Sequence, residues 1–191
     1  MSIYMPKLFR RITVKKEDRR TAMTKRMLKE ALTEMLKEKD IYHISIRELC
    51  ERADINRTTF YKYYGSQFDL LTDMENDLLV FLADVIRSRD ADTVKTIETA
   101  CKYLEDNLEF VKLIFNNNVD PAFPQKLFSM EAIKEALKEK QNSRYAVNES
   151  DYLYNYMIYG AYRIVCMWLN KEQRESPNEI AEILKKTIID Y

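Results

Sequence analysis

The chain has 191 residues, 46% hydrophobic and 32% charged, with 31 basic and 31 acidic side chains but only 2 glycines and 4 prolines. This composition supports a core of real size and excludes a strand-rich or low-complexity protein, because such folds consume glycine and proline. The net charge of zero hides a division: residues 1–66 hold 16 Lys/Arg against 9 Asp/Glu, net +7, and residues 67–191 hold 15 against 22, net −7, the footprint expected when one end of a molecule meets phosphates.

Residues 1–17 read as a basic arm through Lys7, Arg10, Arg11, Lys15 and Lys16. They lack a leader pattern, and no run of about 18 apolar residues follows, so a cytoplasmic protein without membrane association is expected. A first helix is predicted from about Arg19 to Glu38, where Leu28, Ala31, Leu32, Met35 and Leu36 return at helical spacing. Ser45 and Glu48 form a capping-box pattern, so a second, short helix begins there with Ile46, Leu49, Cys50 and Ala53 as its inner stripe. The turn Ala53–Asp54–Ile55 needs a residue near the left-handed region, where Asp is among the few substitutes for Gly. Asn56 then caps a third helix, with Ile55 and Phe60 inward and Arg57, Thr58, Tyr61 and Lys62 outward. Gly65 is read as its terminator and Ser66 as the cap of a longer helix, about Gln67 to Arg87, with Leu70, Leu71, Met74, Leu78 and Phe81 in line.

Asp92 caps a further helix running through Val94, Ile97, Cys101, Leu104 and Leu108, and another covers Phe110 to Phe115 before the break at Asn116–Pro121. Residues from Pro124 to about Lys140 are read as one helix and Gln141 to Asn148 as a polar connector. Two helices close the chain: about Ser150 to Asn170, and one opened by Ser176, Pro177 and Glu179, a capping box with Pro at the first helical position. The expectation is an all-α chain of about nine helices.

Cys50, Cys101 and Cys166 are odd in number and far apart, which suggests neither a disulfide framework nor a zinc cluster. His43 is the sole histidine, and there is no glycine-rich phosphate loop or nucleophile elbow. No enzyme, metal or cofactor is expected. The segment Asn56–Tyr63 instead suits duplex DNA: Arg57 and Lys62 can address guanine O6 and N7, while Thr58, Thr59 and Tyr61 suit thymine methyls. Thr59 reads equally as a buried contact, Lys62 equally as a phosphate contact, and Arg47 as a phosphate partner or a solvated charge.

The run SIRELCERADIN followed by RTTFYKYYGSQFDLL, with Leu28 and Ala31 to Leu36 before it, resembles the tetracycline-repressor (TetR/AcrR) family of bacterial transcription regulators. The segment YMIYGAYRIVCMWLNKEQRESPNEIAEIL resembles one of that family's C-terminal types. The resemblance implies a three-helix helix-turn-helix domain over 18–78, with the motif at about 45–64, and a C-terminal effector-binding and dimerisation bundle over 79–191. It implies phosphate contacts by Ser45 and Tyr63. It also implies a homodimer through the last two helices, with Leu153, Met157, Gly160, Ala161, Ile164 and Trp168 from one and Ile180, Ile183 and Leu184 from the other. Gly160 supports this, because glycine inside a helix costs about 0.5 to 1 kcal/mol relative to Ala and needs a reason such as close helix approach.

Such a dimer would read a near-palindromic operator on double-stranded DNA, as a repressor released by a small-molecule effector, with Tyr103, Phe110, Phe128, Tyr156 and Tyr159 as candidate pocket aromatics. The alternative is a co-regulator acting through protein contacts of its C-terminal half. Three positions depart from the family pattern: Asp54 for the usual Gly, Tyr63 for a frequent His, and Gln67 for a frequent Lys. Gln67 still offers a hydrogen bond to phosphate but releases no counterion, which lowers the salt dependence by about one charge per subunit.

Overall fold

The computed structural model describes residues 19–88, 92–116, 119–141 and 150–189. Among them are no strands and ten α-helices: α1 Arg19–Glu38, α2 Ile46–Ala53, α3 Arg57–Tyr61, α4 Gln67–Arg87, α5 Thr93–Asp106, α6 Leu108–Phe115, α7 Phe123–Phe128, α8 Glu131–Gln141, α9 Ser150–Asn170 and α10 Pro177–Leu184. The expected basic arm and most of the connector before α9 lie outside the described residues. The chain divides into two compact units, Met1–Leu71 and Thr72–Tyr191, and the division falls inside α4.

In the first unit the apolar stripes meet as their spacing dictates. Leu28, Leu32 and Met35 of α1, Leu49 of α2, Phe60 of α3 and Leu70 of α4 are buried, with Ile41 and Ile44 on either side of a short 3-10 turn. Ion pairs join the end of α1 to α2: Arg52 grips Glu38 at 2.7 and 3.0 Å, and Lys39 reaches Glu48 at 2.9 Å. The Lys39 ammonium and the Ser45 hydroxyl and amide hold the Glu48 carboxyl down to about 2, so the capping box keeps its charge through the physiological range.

In the second unit α10 packs along α5, with Val94, Cys101 and Leu104 buried from α5 and Ile180, Ala181 and Leu184 from α10. The α9 helix is tied to α6 and α7: Tyr162 donates to the Phe115 carbonyl at 2.7 Å and Tyr154 to the Phe128 carbonyl at 2.6 Å. The Phe115 and Tyr162 rings stack at 5.3 Å.

The helix count exceeds the sequence expectation because Pro124–Lys140 is two helices. Ser129 closes α7, its hydroxyl donating to the Lys126 carbonyl at 2.9 Å, and α8 opens two residues later. Both segments bury apolar residues, Leu127 and Phe128 before the break and Ala132 after it, so the apolar spacing runs through the break without marking it. The helix expected to reach Leu108 ends at Asp106, where the Asn107 side chain donates to the Tyr103 carbonyl at 2.8 Å. The last α-helix stops at Leu184 and passes into a wider π-type segment, Lys185–Ile189.

Candidate nucleic-acid interface

The helix-turn-helix is built from three local devices. Ser45 Oγ accepts from the Glu48 amide at 3.2 Å, and Glu48 Oε2 accepts from the Ser45 amide at 3.1 Å, which closes the capping box of α2. Asp54 ends α2 with φ +53° and ψ +42°, the one positive φ at a non-glycine residue among those described. The following amide, of Ile55, returns to the Cys50 carbonyl at 3.0 Å. This left-handed stop reverses the chain in two residues. Asn56 Oδ1 then accepts from the Thr58 amide at 2.8 Å and opens α3.

The outcome for α3 follows from the burial of Phe60, which fixes the rotation of this five-residue helix. Arg57, Thr58, Tyr61 and Lys62 face outward, Thr59 and Tyr63 are half-buried, and Asn56 is exposed but engaged as a cap. The Tyr63 hydroxyl lies 3.2 Å from Thr21 Oγ1, and the Lys62 ammonium sits 5.7 Å from the Tyr63 ring centre. Arg57 and Lys62 make no ion pair among the described residues. Their neighbours differ: Arg26, Lys37, Lys39, Arg47 and Arg52 are each bonded to a glutamate. Arg47 is therefore partly neutralised by Glu51 at 2.8 Å, and Arg52 serves Glu38 rather than Asp54.

At the start of α4, Ser66 Oγ accepts from the Asp69 amide at 3.2 Å and Asp69 Oδ2 accepts from the Gly65 amide at 2.9 Å. Gly65 is not left-handed, which corrects its reading as a conformational terminator. A Cβ there would meet Asp69 Oδ2 at 2.9 Å, so the glycine leaves room for that cap. Half-buried Gln67 donates from Nε2 to the Ile41 carbonyl at 3.5 Å, a long bond that a nearby phosphate can replace.

The residues expected at a dimer interface fall into two groups. Trp168, Ile180, Leu184 and Met157 are buried within their own subunit, and the Trp168 indole donates to the Glu175 carbonyl at 2.8 Å. Leu153, Ala161 and Ile164 are half-buried, and Ile183 is exposed. The α9 face turned outward carries Tyr152, Tyr156, Tyr159, Arg163 and Met167, residues three or four apart on one side of a helix. Beside them a Cβ on Gly160 would meet no heavy atom within 4 Å, so no other helix among the described residues requires that glycine.

The five candidate pocket aromatics lie in different surroundings. Tyr103 stacks on Phe81 at 3.7 Å, and burial pushes its hydroxyl up to about 12. Phe128 is buried with its ring 4.6 Å from that of Tyr159. Phe110 is half-buried on α6, and Tyr156 lies on the surface with 64% of it exposed. A concave surface is found elsewhere, a cleft of about 300 Å³ lined by Asp84, Val85, Ser88, Lys95, Thr96 and Thr99. Among the described residues no helix is long and apolar enough to cross a membrane, and no three His, Cys, Asp or Glu side chains group to hold a metal ion.

Residues 92–190, just over half of the chain, match a TetR family model described as a transcriptional regulator C-terminal region. The chain belongs to the TetR family of transcriptional regulators. It is 25% identical over 163 residues to the uncharacterized HTH-type transcriptional regulator YxbF of Bacillus subtilis (strain 168), a match covering 81% of this chain and 42% of that protein. The chain therefore spans less than half the length of that relative.

Among solved structures, a TetR transcriptional regulator from Streptococcus agalactiae 2603V is 20% identical, with 91% of this chain and 97% of that one covered at a TM-score of 0.66. The dihydroxyacetone kinase operon activator DhaS is 17% identical, with 88% and 96% covered at 0.61. These likenesses establish the all-helical TetR fold.

Two features of this TetR-family chain escaped the sequence reading. Glu75, 1% exposed in α4, accepts from Lys126 Nζ at 2.6 Å, and the same ammonium reaches Asp120 at 2.7 Å. Burial pushes the Glu75 carboxyl above its ordinary range against the pull of Lys126, and its second oxygen has no hydrogen-bond partner among the described residues. Its position four residues after Leu71 and three before Leu78 was the available signal. The other feature is an exposed aromatic pair, Tyr42 and Phe68, with ring centres 5.2 Å apart.

Proposed function

We propose that this chain is a homodimeric, sequence-specific DNA-binding repressor that leaves a near-palindromic operator when a small-molecule effector binds its C-terminal unit. The observation that carries the reading is the outward face of α3, where Arg57 and Lys62 stand beside Thr58 and Tyr61 without acidic partners among the described residues. Unpaired cations on a short, firmly capped helix are the groups that bond guanine edges and phosphates, while the Thr methyl and Tyr ring meet thymine.

A five-residue helix reads too few bases to select a site alone, so the proposal requires two, set about 34 to 36 Å apart to enter successive major grooves. The outward stripe of α9, with open space over Gly160, supports a second copy as its occupant. The cleft between the end of α4 and the start of α5, lined by Asp84, Val85, Ser88, Lys95, Thr96 and Thr99, offers a place for a small effector in the C-terminal unit.

Nuclease footprinting of the purified protein on DNA upstream of its own gene tests the reading. The expected result is a protected near-palindrome with two half-sites one helical turn apart, and lower reporter transcription when the protein is present. Binding that ignores sequence would overturn the operator-reading proposal and favour a co-regulator working through protein contacts.

A further inference from the structure

The turn ahead of α2 presents one side chain that folding alone does not account for. Asp40 fixes the turn by accepting from the Tyr42 amide at 2.9 Å through its side chain and from the His43 amide at 2.9 Å through its carbonyl. The Ile44 amide closes it on the Ile41 carbonyl at 3.2 Å. Ile41 and Ile44 are each 2% exposed and anchor the turn in the core. Tyr42, between them, is forced outward and is 77% exposed.

Its ring leans on Phe68 in the first turn of α4, tilted by 57°, and its hydroxyl has no hydrogen-bond partner among the described residues. Ring packing therefore restrains Tyr42 while its polar end meets no partner among the described residues. Gln67, the neighbour of Phe68, is bonded to the carbonyl of Ile41, the neighbour of Tyr42. Tyr42 thus stands between the start of α2, at Ser45, and the start of α4, at Gln67, the two positions read above as facing the DNA backbone.

We infer that Tyr42 is a further DNA-contact residue, its hydroxyl donating a hydrogen bond to a backbone phosphate oxygen. The inference rests on the DNA-binding reading proposed above. A tyrosine carries only two side-chain torsions, and the Phe68 contact restrains the ring before binding, so little freedom is lost on contact. A phosphate bond carries no base information, and a neutral hydroxyl displaces no counterion. The contact therefore raises affinity for every sequence alike and leaves the salt slope unchanged.

Tyr42→Phe keeps the ring and removes only the hydroxyl, so the protein melts as before. Fluorescence anisotropy with operator and scrambled duplexes is expected to show affinity falling about a hundredfold or more on both, from loss of a charge-assisted hydrogen bond in each subunit, with an unchanged slope of log affinity against log salt. Phe68→Ala, which frees the ring, is expected to weaken binding in the same uniform way but less. Native affinity of Tyr42→Phe for the operator overturns the inference and leaves the DNA-binding reading intact, and so does a loss confined to one sequence. A parent protein that binds neither duplex overturns both.

Discussion

Arg57 and Tyr61 are the residues on which sequence discrimination should turn, since both project from α3 and Arg57 has no acidic partner among the described residues to leave before it meets a base. Arg57→Ala or Tyr61→Ala is expected to cost about 1 to 3 kcal/mol on the operator and far less on scrambled DNA, read by anisotropy on both duplexes. Equal losses on the two would move the residue from base to phosphate contact. At Glu75 the chemistry is internal. Its raised pKa means that the folded state holds the proton more tightly than the unfolded chain does, so its contribution is most favourable below the ordinary value of 4.5 and is lost as pH rises through the folded value. Asp120, lowered by Lys126 despite its burial, contributes above its ordinary value and loses that contribution as pH falls. Lys126→Met leaves a buried carboxylate without its counter-ion, and is expected to destabilise the protein by about 2 kcal/mol at pH 8, discounted because Lys126 itself is 42% exposed. Urea denaturation should show that deficit shrinking toward pH 5, and an equal deficit at both pH values would contradict it.

At the scale of elements, the caps were legible and the packing partners were not. Ser45 with Glu48, Asn56, and Ser176 with Pro177 and Glu179 act locally, within four residues, so their sequence spacing is sufficient to place helix starts. The break at Ser129 and the outward rotation of Tyr42 depend on which surfaces the segments meet, which spacing alone does not carry. The same limit applies to α9: apolar periodicity marks Met157 and Trp168, and the folded chain uses them in its own core. Asp54 offers a test of the turn. Glycine enters the left-handed region without strain and β-branched residues do not, so Asp54→Gly should leave stability equal or higher by up to about 1 kcal/mol, while Asp54→Val should lower it by about 1 to 2 kcal/mol. Thermal melts of the two variants check this, and a Gly variant less stable than the parent would mean that the Asp side chain contributes more than its backbone conformation costs.

For the whole molecule, the charge division between residues 1–66 and 67–191 supports the proposed reading, with one end for DNA and one for association. Gly160→Leu places a large side chain where its own subunit offers no contact within 4 Å, so the subunit should still fold while a dimer through α9 cannot close. Sedimentation should show a monomer, and a variant that remains a dimer would refute the α9 assignment. The proposed function stands on selective recognition of DNA through α3. The most direct test is an anisotropy titration of the parent protein and Arg57→Ala on operator and scrambled duplexes between about 50 and 200 mM salt. The parent is expected to prefer its operator by about a thousandfold or more, with a preference that persists as salt weakens both complexes and that Arg57→Ala erodes. Equal affinity of the parent for the two duplexes at every salt concentration would contradict it.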